Sequence, residues 1–353
     1  MKWDNRTWLR KNGGRRLVVS AVVLAALGAG YYGFQLQYPA AKAARACGGM
    51  LPVDPVLDLA GKSRLSLLGS GFDADSRRFD VSDDVKEPDG LAVRCEVGGV
   101  KVSVETTAGA LNAYGAYTFQ SEEHTLPVPL DGGWQGFMVT EDDDATASVV
   151  LSCENWAPDE GGGILVAATS PTGTEVTEDV RLALARTVTA TAQRAAENTG
   201  CATKPGSTDA LTAPQAAATT GPAAGAKGTC KGLTSATEVR ETPAAAAPVE
   251  ECVLGGRLQL SAAYGPFNDN SRAVANGPYG GHDKPAGADR TSVWTSATCP
   301  GALGIGYFAV YAVDGSSRDF GAHPLTGPER ADLRHFAEQS AARHGCGSPA
   351  KPS

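Results

Sequence analysis

Two stretches of this chain share one pattern of apolar and polar positions: Cys95-Glu96-Val97-Gly98-Gly99-Val100-Lys101-Val102 and Cys252-Val253-Leu254-Gly255-Gly256-Arg257-Leu258-Gln259-Leu260. Each reads as a cysteine at the end of one strand, a Gly-Gly turn, and a second strand with apolar residues at alternate places. A two-residue Gly-Gly loop suits the positive φ angles of a tight hairpin. The parallel continues downstream. Ser148–Cys153 and Ser292–Cys299 read as strands that end in cysteine, and Ile164–Ala168 and Ile305–Tyr311 as strong strands after glycine-rich turns.

Helical periodicity frames both sets of strands. The runs after Cys47 (Met50, Leu51, Val56, Leu57, Leu59) and after Cys230 (Leu233 to Val239) read as short opening helices. A closing helix follows in each half. In the first, Thr177 is an N-cap with Glu178 and Asp179 behind it, and Val180, Leu184, Val188 and Ala192 mark one face before Gly200. In the second, Pro328 suits a first helical position, Leu333, Phe336 and Ala337 form the stripe, and Gly345 ends it. One unit has been used twice. The expected class is α+β, two tandem domains, each an antiparallel sheet with helices packed on one face.

Ahead of these units, 17–34 (LVVSAVVLAALGAGYYGF) carries no charge. As a helix it would span roughly 27 Å, enough for a hydrocarbon core. Arg6, Arg10, Lys11, Arg15 and Arg16 precede it, which places 1–16 in the cytoplasm as a basic tail and the rest outside. The expectation is an uncleaved, single-pass anchor. Cleavage at Ala41-Lys42-Ala43 and lipid modification of Cys47 are the alternatives. Domains are then expected at 47–201 and 230–346. Between them, 202–229 is Ala, Thr, Pro and Gly with almost no large apolar residue and reads as a flexible linker, and 347–353 as a disordered tail.

A chain of 353 residues fits two domains better than one. Its net charge of −8 is uneven: the first 46 residues are strongly basic, while 47–201 holds roughly twenty-five acids against ten bases. An acidic outer portion argues against a nucleic-acid partner, because phosphate binding wants a Lys/Arg-lined face.

The cysteines fall into two sets of four: Cys47, Cys95, Cys153 and Cys201, then Cys230, Cys252, Cys299 and Cys346. An even count outside the membrane implies disulfides, and four cysteines allow three pairings per copy. No Cys-x-x-Cys occurs, which disfavours a zinc knuckle or a thioredoxin-like site. The order of cysteine, Leu-rich helix, hairpin cysteine and strand resembles small secreted or lipid-anchored actinobacterial domains of unknown function. Those are similar to the PsbP-like α/β sandwich and to extracytoplasmic sensor domains of receptor kinases. The resemblance implies first-to-second and third-to-fourth pairing within each copy. This chain departs from it in having no lipobox, no Trp two after Cys95 or Cys252, and no kinase portion.

Candidate chemistry is sparse. Gly69-Ser70-Gly71-Phe72-Asp73-Ala74 and Gly304-Ile305-Gly306-Tyr307-Phe308-Ala309 match a dinucleotide string, but neither sits in a βαβ unit, and the second runs into a strand. Ser70 lacks the nucleophile-elbow context. Of the histidines, His335 and His344 are expected on the wet side of the last helix, and His124 carries no motif. His282-Asp283 and His323 lie in loops and could meet as a base and its orienting carboxylate, though the first copy has no counterpart. Glu141-Asp142-Asp143-Asp144 lacks the spaced pattern of a calcium loop and reads as a solvated hairpin tip. Trp134, Trp156, Tyr279 and Trp294 are either core or binding surface, with core the expectation.

No cofactor or metal is expected. The resulting expectation is a non-enzymatic, membrane-anchored extracytoplasmic protein that binds an envelope ligand or protein partner. The alternative is a hydrolase of envelope polymers using loop carboxylates and His282.

Overall fold

Alternation in the Gly-Gly hairpins becomes strand pairing with one face turned to a core. The computed structural model describes residues 44–61, 74–78 (backbone only), 91–107, 125–141, 143–156, 162–268, 282–313 and 318–351. In the first domain β1 (Ala74–Arg78), β2 (Ala92–Val97), β3 (Val100–Thr106), β4 (Val128–Pro129), β5 (Gly136–Thr140), β6 (Ala145–Ser152) and β7 (Gly163–Thr169) form an antiparallel sheet. Its order is β1-β2-β3-β7-β6-β5-β4. The second domain contains β8 (Thr219–Pro222), β9 (Glu238–Glu241), β10 (Val249–Leu254), β11 (Leu258–Ala263), β12 (Ala286–Ala288), β13 (Ser292–Thr298) and β14 (Ile305–Ala312). Its order, β8-β9-β10-β11-β14-β13-β12, repeats the first from β9 onward: β9-β10-β11-β14-β13-β12 stand where β1-β2-β3-β7-β6-β5 stand. The two hairpins differ by one residue. Val97 pairs with Val100 across a two-residue turn, whereas Leu254 pairs with Leu258 and leaves Gly255, Gly256 and Arg257 in the loop.

Helices are few. Among the described residues the complete ones are α1 (Val53–Leu59), α2 (Glu178–Thr199) and α3 (Gly327–Arg343), with short 3-10 turns and a helical stretch at 266–268 besides. Thr177 caps α2, its Oγ1 accepting from the Val180 N–H, and Gly200 closes it at φ 67°. Leu184, Val188 and Ala192 are fully buried against Val102, Val149, Ile164 and Val166 of the sheet. On α3, Leu333, Phe336 and Ala337 pack on Leu260, Phe308 and Val310. The opening helix expected after Cys230 does not form. Gly232 sits at φ 81°, and the Asp332 carboxylate accepts the Thr234 and Ser235 N–H groups, so the segment turns rather than coils.

All four disulfides lie within a domain: Cys47–Cys95, Cys153–Cys201, Cys230–Cys252 and Cys299–Cys346. Four bridges and no free cysteine suit an oxidising, extracytoplasmic setting. Among the described residues no helix is long and apolar enough to cross a membrane; the expected span at 17–34 and the basic tail at 1–16 lie outside them.

The segment 202–229, expected as a flexible linker, is laid along both domains. Leu211 joins the first core, the Ser207 N–H donates to Gly132 O at 2.8 Å, and Arg181 Nε donates to Pro214 O at 2.8 Å. Further on, the Glu241 carboxylate accepts three backbone N–H groups, from Lys227, Gly228 and Cys230. Small residues, which argue against a core of their own, are what let this strap lie flat. A Cβ on Gly206 would come within 2.7 Å of the Trp134 ring. The tail also departs from expectation: the Gly347 and Ala350 N–H groups donate to Thr298 O and Ser296 O, along β13.

The sheet faces away from the helices meet each other at one end. Phe137, Val139, Val150 and Leu165 of the first domain form one buried cluster with Ala247, Val249, Phe267 and Ala302 of the second. The Ala302 N–H donates to Ser152 Oγ at 3.2 Å, and a Cβ on Gly163 would collide with Ala302. The tandem copies thus share a core.

Candidate functional site

The face of the second sheet turned away from α3 groups aromatic and polar side chains. In β13 and β14, Val293, Ala297, Phe308 and Val310 point into the core under α3. Their alternates, Ser292, Trp294, Ser296, Tyr307, Ala309 and Tyr311, therefore point the other way. Register sets Ala309 opposite Trp294 and Tyr311 opposite Ser292 on one side and Gln259 on the other.

Above Ala309 the Tyr307 and Tyr311 side chains reach toward each other and share a hydrogen bond, with Ser292 a second partner of Tyr307. Burial pushes both phenols above their usual range. Tyr311 nonetheless keeps 37% of its surface exposed, the large hydrophobic side chain left open among the described residues.

His282 stacks on Trp294 with ring centroids 3.5 Å apart and planes within 9°, and extends toward Tyr307 at 6.2 Å. Its Nε2 lies 3.9 Å from Asp289 Oδ2. Asp289 in turn accepts the Thr291 and Ser292 N–H groups at 2.7 and 2.8 Å. Burial alone would raise its carboxyl, but those bonds and the nearby His282 hold it below the usual range. The indole Nε1 of Trp294 donates to Lys284 O, and β12 passes so close that a Cβ on Gly287 would sit 2.5 Å from the ring.

Glu251 lies on the same face of β10. It is 4% exposed, its Oε2 lacks a hydrogen-bond partner among the described residues, and burial raises its pKa to about 8 against the opposing pull of Gln259 and Arg240. A carboxyl in that state is largely uncharged at neutral pH.

The sequence candidates separate. His282 and Trp294 meet here, but the carboxylate facing His282 is Asp289 and not Asp283, which is exposed. His323 sits in the turn after Asp319, with its N–H on Asp319 O, and makes no contact with His282 among the described residues. His344 does not face water. It is 5% exposed, stacked on Tyr264 at 3.8 Å, with its ring nitrogens at Ser340 O and Ala247 O. His335 is half-buried beside Gln339 and Gly232. The acidic run makes the β5–β6 turn, where the Glu141 N–H donates to Asp144 O; Asp142 lies outside the described residues. Trp134 is core and Trp156 packs on it, while His124, Ser70 and Tyr279 also lie outside the described residues. Gly304–Ala309 runs into β14.

Tyr307, Tyr311, Glu251 and Asp289 escaped the sequence reading. The signal for the tyrosines was present: in Ile305-Gly306-Tyr307-Phe308-Ala309-Val310-Tyr311 they share one parity of the strand. Since both parities are apolar, the outward one could not be chosen. No family model, no curated protein and no solved structure matches this chain.

Proposed function

We propose that this is an extracytoplasmic binding protein, held at the membrane by its 17–34 segment, and that an envelope ligand or protein partner docks on the Tyr311 face of the second domain. The observation that carries the reading is the 37% exposure of Tyr311 on a sheet face backed by Trp294, Tyr307 and His282. Aromatic rings with a polar edge are the side chains that concentrate at recognition surfaces. Four disulfides support the extracytoplasmic setting. The long helix against each sheet supports an α+β class for both domains, and the likeness to PsbP-like actinobacterial domains is carried forward as part of the same proposal.

The test is photocrosslinking in intact membranes from a benzophenone side chain at position 311, with Arg334 on the outside of α3 as the control position. A discrete adduct from position 311 that is absent from the control is the expected result. Identical adduct patterns from both positions, or none from 311, rule the docking face out. A hydrolase using His282 would instead lose turnover of envelope polymer in His282→Ala and Asp289→Asn, with the adduct at 311 retained.

A further inference from the structure

The C-terminal end of α3 holds a buried polar cluster on the helix side of the second sheet. Among the described residues it joins Glu250 on β10, Ala247 just before that strand, Tyr264 just after β11, and Ser340, Arg343 and His344 of α3 and its end. Its hydrogen bonds fix the direction of each proton. Ser340 Oγ donates to Glu250 Oε1 at 3.0 Å, so the Tyr264 hydroxyl, 2.6 Å from Ser340 Oγ, must be the donor to it. Arg343 Nη2 donates to Glu250 Oε2, and its Nε reaches Oε1 at 3.4 Å. Burial and the Glu250 charge raise the Tyr264 phenol above its usual range, which keeps that hydroxyl protonated.

His344 closes the cluster. Its Nδ1 lies 2.9 Å from Ser340 O and its Nε2 2.9 Å from Ala247 O. Both partners are carbonyl oxygens, which only accept. A neutral imidazole carries one N–H, so it serves one of them and turns a lone pair on the other; the doubly protonated ring serves both. Glu250 Oε1, 3.6 Å from Nδ1, favours the extra charge, while Arg343 on the same carboxylate opposes it but is partly open to water.

Ala247 ties this cluster to the junction between the domains. Its side chain belongs to the shared core with Phe137 and Phe267, and the neighbouring Pro248 O accepts the Tyr264 N–H at 2.9 Å. Tyr264 is itself stacked on the His344 ring at 3.8 Å. When one proton leaves, the ring must turn from one carbonyl, and that movement bears on both anchors of the 247–248 segment.

We propose that His344 is a proton-dependent clamp on the domain junction: as an imidazolium it pins Ala247 to the end of α3, and losing one proton loosens the core that the two sheets share. The clamp stands whether or not a partner docks at Tyr311.

The test is a titration of the full-length protein in detergent, with labelled histidine and with fluorophenylalanine at position 267, from about pH 5 to about pH 9. Glu251→Gln serves as the background, because the Glu251 carboxyl, two residues from Val249 of the shared core, also titrates in that range. NMR of the His344 ring should show both nitrogens protonated at the acid end and one at the alkaline end. The fluorine line at 267 should move with the same midpoint, and His344→Gln should abolish the movement. A ring that keeps one charge state throughout, a fluorine line that stays still while His344 titrates, or the same movement in His344→Gln overturns the clamp. The first two outcomes are read with His344 in place, so they decide even if His344→Gln does not fold.

Discussion

Phe137 of the first domain meets Phe267 of the second edge to face, with ring centroids 5.0 Å apart and planes at 72°. Around this pair the tandem copies bury a common cluster, so neither copy presents a complete core surface alone. Phe137→Ala should cost about 3–4 kcal/mol through lost transfer energy and the space left behind. Denaturant unfolding followed by tryptophan fluorescence should then resolve two transitions where the parent shows one.

Glu251 predicts an unusual pH dependence. Its folded pKa, raised to about 8, lies above the ordinary carboxylate value, so between those limits the native state holds a proton that the unfolded chain releases. Its contribution is fully present below about pH 4.5 and is lost as pH rises through about 8. Glu251→Gln keeps the uncharged shape. Its stability relative to the parent should therefore climb across that window, by up to roughly 4 kcal/mol. Paired chemical denaturations at pH 5 and pH 8.5 measure the difference, and a constant gap between the proteins counts against it.

Glu329 behaves in the opposite sense. Arg318 and the Thr326 N–H hold its carboxyl near pKa 2, so the stability it adds is present above the ordinary carboxylate value and disappears as pH falls toward 2. Thr326 and Glu329 form a reciprocal capping box at the start of α3. Thr326→Ala should cost about 1 kcal/mol. Glu329→Gln should cost a similar amount at neutral pH once solvent screening is allowed for, and much less at pH 2, where the carboxyl is about half protonated.

The Cys299–Cys346 bridge closes a loop of 47 residues and ties the end of α3 to β13. Replacing both cysteines by serine should cost about 3–4 kcal/mol if chain entropy governs. Truncation after Cys346 should cost less, because it removes only the Gly347 and Ala350 hydrogen bonds along β13. Thermal midpoints of the two variants give the order directly.

Much of the fold was legible because its signals are local. The Gly98-Gly99 turn, the Thr177 cap and the Leu184-Val188-Ala192 stripe depend on φ angles and periodicity within a few residues, and each forms as read, whereas the Gly255-Gly256 turn takes in Arg257 as a third loop residue. Where a distant partner intervened, the reading failed. The segment after Cys230 turns because Asp332, about a hundred residues away in sequence, takes its N–H groups. His344 is buried because Tyr264 and Ala247 O come to it across the sheet. The 202–229 strap had too few apolar residues to make a core, but that says nothing about lying on cores made by others.

What the amino-acid order determined by itself is a unit present twice, its strand pattern, its closing helices and its even set of cysteines. Only the tertiary structure decided which parity of β14 faces outward, that Asp289 and not Asp283 meets His282, and that the two sheets share a buried cluster. The reason is physical: turns, caps and periodicity are encoded within one helical turn or one hairpin, whereas the partner of a side chain across a sheet is chosen by packing that involves the whole chain.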